Sequence, residues 1–170
     1  MRLLLFSFVV LVSCGQSVCD GSDFVTSQNL CVFSNGYFVD NVDIENVVAV
    51  TQKEISFRHP DKYSKEKIEY FDNVSLRFIQ SSDSNDWGGE LNYKVGSFID
   101  DRYEITLEFK ESCRLIQSNL IHELLHVYLI DIEDCVYHRK GWFIDKKFSD
   151  EENKASIQNI VFNKVNCIEN

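Results

Sequence analysis

The chain has 170 residues, a net charge of −10 and 44% hydrophobic residues, which suits one domain around a single core. The acidic balance excludes the basic face that nucleic acid demands, and it gives no charge-driven route to anionic lipid. The acidic residues are spread along the chain, as a solvated surface would have them.

The first residues read as an export signal. Met1-Arg2 supplies positive charge, and Leu3 to Val12 is an apolar run too short to span a bilayer, which takes about twenty residues. Leu11-Val12-Ser13-Cys14 resembles the bacterial lipobox, in which the Cys is lipidated. The resemblance implies a signal peptide over 1–13, acyl chains on Cys14, and a membrane-anchored lipoprotein at the cell surface or the periplasmic face of an outer membrane. The alternative is an ordinary secretory signal cut a few residues later. Residues 14–23, rich in Gly, Ser and Asp, read as a flexible tether, and 24–170 as one domain.

Further elements follow in order. Cys31 to Phe38 is a short apolar segment. Asp43 is placed to N-cap a helix whose Ile44, Val47, Val48, Thr51 and Ile55 share a face. Tyr63 to Phe71 suggests a short charged helix. Val74, Leu76 and Phe78 alternate with Ser75, Arg77 and Ile79, the period of a strand. Leu91 to Ile99 and Tyr103 to Phe109 read as two strands, with Asp100-Asp101-Arg102 as the hairpin turn. A strongly apolar helix then runs from Cys113 to Ile130 with Ser112 as its cap, and a last helix from Asp150 to Asn163. The order gives an α+β domain, with a short, mostly antiparallel sheet packed on the apolar helix.

That helix carries His122-Glu123-Leu124-Leu125-His126. Positions i and i+4 stack on one face, so two neutral imidazoles there can grip one Zn²⁺ while Glu123 lies beside a metal-bound water. Without a cation, a His-Glu-His cluster amid so many apolar neighbours would be costly to bury. The pattern HELLH resembles the HExxH signature of the zincin metallopeptidases. The resemblance implies a zincin-like catalytic domain over 24–170, with His122 and His126 as zinc ligands and Glu123 as general base. It implies a peptide or protein substrate, and hydrolysis by zinc-activated water. It also implies an extended substrate lying along an edge strand, for which Asn92 to Phe98 is the candidate.

A catalytic zinc needs a third protein ligand and one open position. His138, twelve residues beyond His126, is the first choice, since a loop of that length can fold back onto the helix face. Asp131 and Asp134 are alternatives, as ligands or as partners that orient the histidines. Glu151 and Glu152 are the choice that resemblance to the gluzincin branch implies. The metzincin extension HExxHxxGxxH is not met: Leu129 and Ile132 stand where its Gly and third His would be. Met1 is the only methionine, so no Met-containing turn lies beneath the metal; Gly141-Trp142-Phe143-Ile144 can supply an apolar floor instead. Tyr137 is the first candidate donor to a developing oxyanion, followed by His59 and Arg139.

If Cys14 carries lipid, Cys19, Cys31, Cys113, Cys135 and Cys167 remain, and an oxidising compartment favours disulfides. Cys19–Cys31 is a plausible local bridge, and Cys135–Cys167 is preferred for the second. Two other readings stand beside the peptidase. One is a zinc-binding structural lipoprotein without hydrolytic activity. The other is a host-interaction module at the surface.

Overall fold

The computed structural model describes residues 19–37, 42–60, 74–79, 89–95, 101–108, 112–133 and 137–168. Cys14, the segment before it, the Tyr63–Phe71 stretch, Asp134 and Cys135 lie outside them. The chain is α+β: a small mixed sheet with four helices.

The strands are β1 (Phe24–Val25), β2 (Cys31–Phe33), β3 (Val74–Ile79), β4 (Gly89–Val95) and β5 (Asp101–Glu108), in the spatial order β1-β2-β3-β5-β4. The alternation read in β3 holds for the core face, where Val74, Leu76 and Phe78 are all fully buried. Tyr103, Ile105 and Leu107 do the same in β5. Arg77 points the other way, over the Phe33 ring at 4.4 Å and beside Glu104 at 3.5 Å.

The sheet is not mostly antiparallel. β1 and β2 pair antiparallel, as do β4 and β5, but β3 runs parallel to both its neighbours. The reason lies in the connections. Helix α1 (Ile44–Arg58) carries the chain back from β2, so β3 starts from the same end. The chain then leaves β3 for the outer strand β4 and folds inward to β5. The hairpin is present, but Asp101 and Arg102 belong to β5: Val95 pairs with Asp101, so the turn lies before them. Among the described residues β4 is an edge strand, bonded on one side.

Asp43 caps α1, its carboxylate accepting from Asn46 N–H at 3.0 Å. Helix α2 (Cys113–Glu133) begins beside Ser112, whose hydroxyl accepts from Leu115 N–H at 3.4 Å. The expected single C-terminal helix is two, α3 (Asp150–Lys154) and α4 (Ile157–Lys164). Ser149 and Glu152 form a capping box that starts α3. Ser156 starts α4 by accepting from Asn159 N–H, while its own hydroxyl donates to Asn153 O at 2.7 Å. A serine bonded both ways turns the chain instead of continuing the helix.

Helix α2 lies between β4 and β5 on one side and α1 and α4 on the other. Its Leu120, Ile121, Leu124, Leu125 and Leu129 are fully buried, with Tyr128 at 1% exposure. Glu54 joins α1 to α4 through Lys164 at 2.6 Å and pairs with Arg58, one turn along α1, at 2.8 Å. Burial opposes charge on Glu54, yet the two cations hold its carboxyl below the ordinary range. Cys19–Cys31 is bonded as expected. Cys167 pairs with Cys113, not Cys135, across a Cα–Cα distance of 6.0 Å. The tail after α4 runs along the start of α2, where Arg114 donates to Val165 O at 2.7 Å and Gln117 to Asn166 O at 2.9 Å. Those bonds bring Cys167 to the first residue of α2.

Candidate metal centre

His122 and His126 stack one turn apart on α2, as their spacing requires. Their Nε2 atoms are 3.2 Å apart. The chain leaves α2 after Glu133 and returns, bringing His138 Nε2 to 3.2 Å from His122 Nε2. One ligand nitrogen from each ring lies within 4.8 Å of the others, so the three histidines are close enough to hold a metal ion. Two nitrogens bound to one tetrahedral zinc at about 2.0–2.1 Å stand about 3.3 Å apart. The two separations from His122 fit that spacing.

Protonation supports the same reading. Asp145 Oδ2 lies 2.9 Å from His138 Nδ1. A carboxylate only accepts, so Nδ1 carries the hydrogen and Nε2 presents a lone pair to the cluster. Burial, followed by the charge of the neighbouring rings, lowers both His122 and His126 to a pKa of about 4. Both are therefore neutral near pH 7. A proton shared between two of these nitrogens satisfies one of the two contacts; a cation satisfies both.

The rings rest on Phe143, which is fully buried. Its centroid lies 5.0 Å from His122, 4.6 Å from His126 and 4.7 Å from His138, stacked on the last at 22°. The apolar floor expected of the Gly141–Ile144 segment is thus this one ring. Gly141, at φ +84, makes the turn that delivers it.

Outside the rings is a layer that the sequence alone does not reveal. Asp145 is held by Lys147, whose N–H donates to Oδ1 at 3.0 Å and whose ammonium lies 3.5 Å from Oδ2. The Lys147 N–H, then His138, keeps the Asp145 carboxyl at about 2. Asn153 clamps the Asp145 backbone at both ends, accepting from its N–H at 2.9 Å and donating to its carbonyl at 3.1 Å. Gln158 bonds the His122 ring and accepts from Ile144 N–H at 2.9 Å. The ligands stand on α2 and its return loop; Asp145 and Lys147 support them from the same loop, Asn153 from α3 and Gln158 from α4.

A cavity of about 580 Å³ opens beside the cluster. Its walls include His122, His138, Asp145 and Gln158, together with Glu123, which is only 7% exposed. Tyr137 is 77% exposed and is not among the lining residues. His59 is the C-cap of α1 and stacks on Trp142 at 4.8 Å. Arg139 is exposed, and its carbonyl accepts from Trp142 and Phe143. Glu152 is tied to Lys140 and to the Ser149 cap, and neither it nor Glu151 joins the histidine cluster. Comparison with protein families, with characterised proteins and with solved structures finds no match to this chain.

Proposed function

We propose that this chain is an exported, lipid-anchored zinc metallopeptidase of the zincin type. The observation that carries the reading is the convergence of three ring nitrogens, within 4.8 Å of one another, with Glu123 in the wall of the same cavity. Three histidines are a catalytic donor set: they leave one coordination position for water or substrate. Zinc bound there lowers the pKa of its water to about 7 and polarises a carbonyl.

The protein's own residues do the rest. Glu123 takes the proton of the attacking water and returns it to the leaving amine. Asp145 and Gln158 hold His138 and His122 in orientation. Phe143 keeps the underside dry and fixes the ring planes. Strand β4 packs against α2 and, among the described residues, has one unpaired side. It is the place for an extended peptide to add by main-chain hydrogen bonds. Asn92 to Val95 of the expected substrate edge fall on it, and the remainder lies outside the described residues. The lipid anchor on Cys14 rests on the sequence pattern alone.

A structural zinc site has no need of Glu123. The test is Glu123→Gln, which keeps the cavity's shape. It should retain one zinc per chain and lose at least a hundredfold in peptide turnover. A chain that cleaves no peptide, or whose cleavage is unchanged by Glu123→Gln, overturns the hydrolytic reading.

A further inference from the structure

The cavity holds a polar group that the proposed chemistry does not use. Asn119 is 5% exposed and lines the same wall as Glu123 and His122. Among the described residues its side-chain amide has no hydrogen-bond partner, unlike Gln158, Asp145 and His138 in the same walls. The amide is not sealed from solvent: it opens onto the cavity, where a ligand's polar group can pair with it.

Helix geometry places it there. At about 100° per residue, Asn119, His122, Glu123 and His126 fall within one arc of about 100° on α2. Asn119 lies about 6 Å along the axis before Glu123, one turn nearer the N-terminus. Its amide therefore faces the space where a substrate bound to the metal must extend. Among the described residues that line the cavity, all but Ile144 carry a polar side chain.

We infer that Asn119 is a substrate-binding residue that selects peptides with an uncharged hydrogen-bonding side chain, an amide or hydroxyl, next to the cleaved bond. Its carbonyl accepts and its NH₂ donates, so a glutamine or asparagine amide pairs with it reciprocally. A site that bonds such a group favours it over an analogue lacking it, because only the former satisfies the amide once substrate fills the cavity. Glu123, Asp145 and Lys146 line the same cavity, so its walls carry both signs of charge. The substrate class rests on the hydrolytic reading; the binding of an uncharged amide does not.

The test therefore has two arms. Zinc-loaded Glu123→Gln protein is titrated with N-acetylglutaminamide and with N-acetylmethioninamide, following the Asn119 side-chain NH₂ signal by ¹⁵N NMR. The signal should move with the glutamine probe and stay still with the methionine probe. Asn119→Leu on the same background should weaken the glutamine probe at least tenfold. In the second arm, wild-type and Asn119→Leu proteins cleave a synthetic peptide library. The variant should lose at least tenfold in preference for the amide-bearing residue while keeping its zinc; Asn119→Ala replaces it if Leu impairs folding. A stationary NH₂ signal with an unchanged cleavage profile overturns this inference and leaves the peptidase standing. A moving signal with no cleavage of any peptide keeps the amide site and removes the peptidase. No probe binding and no cleavage removes both.

Discussion

Removing Asp145 should weaken the metal centre without touching a ligand. Its Oδ2 lies 2.9 Å from His138 Nδ1 and fixes the hydrogen there. In Asp145→Ala, His138 is free to place its hydrogen on either nitrogen, and its ring loses its outer tether. Partners of this kind contribute about 10- to 100-fold to metal affinity, which is about 1.4–2.7 kcal/mol. The upper half of that range applies here, because Asn153 already fixes the Asp145 backbone and makes the carboxylate a rigid support. Asp145→Asn should fall between, since one orientation of the amide still accepts. Zinc affinity would be read by competition with a chelator of known strength at pH 7, with circular dichroism to confirm the fold. The same substitution on a His138→Ala background should add almost nothing, because Asp145 acts through that ring. Unchanged affinity in Asp145→Ala would refute the argument. An equal loss with and without His138 would show that Asp145 acts by some other route.

Phe143→Ala should cost about 3–5 kcal/mol in urea unfolding, since it empties a fully buried site under three rings; a cost below about 1 kcal/mol would mean that the floor collapses freely. Replacing Cys113 and Cys167 together by Ser opens a closure of 54 residues, and the chain-entropy estimate is about 4 kcal/mol, against about 3 for Cys19–Cys31 with its separation of 12; the same urea titration ranks the two. Acidification should destabilise the zinc-free protein between pH 6.5 and about 4, the window set by His122 and His126. There the unfolded chain binds protons that the folded chain refuses, so stability rises with pH and the histidine contribution is complete above 6.5. A urea midpoint that rises on acidification through that window would contradict the assignment.

What could be read from the chain divides by range. HELLH sets its own geometry, because i and i+4 on a helix meet without help from the rest of the fold. The Asp43 cap and the alternation of Val74, Leu76 and Phe78 are local in the same sense. His138 was within reach because twelve residues can leave a helix and return. Asp145, Asn153 and Gln158 were not: Asp145 meets His138 through the fold of an irregular loop, and Asn153 and Gln158 act on groups that the packing of α3 and α4 brings near. The split between α3 and α4 did have a local signal, in Ser149, Glu152 and Ser156, and the apolar spacing masked it. The Cys113–Cys167 pairing depends on the tail lying along α2, and the parallel pairings of β3 on α1 crossing the sheet. Neither follows from spacing.

The central claim is one zinc held by three imidazoles with one position open. X-ray absorption at the zinc edge, on protein loaded to one equivalent, tests it most directly. Three nitrogen neighbours and one oxygen, all at about 2.0–2.1 Å, are expected, with His122→Ala, His126→Ala and His138→Ala each failing to retain the ion. A folded protein that takes up no zinc at neutral pH, or one whose zinc is unaffected by all three substitutions, would contradict the account.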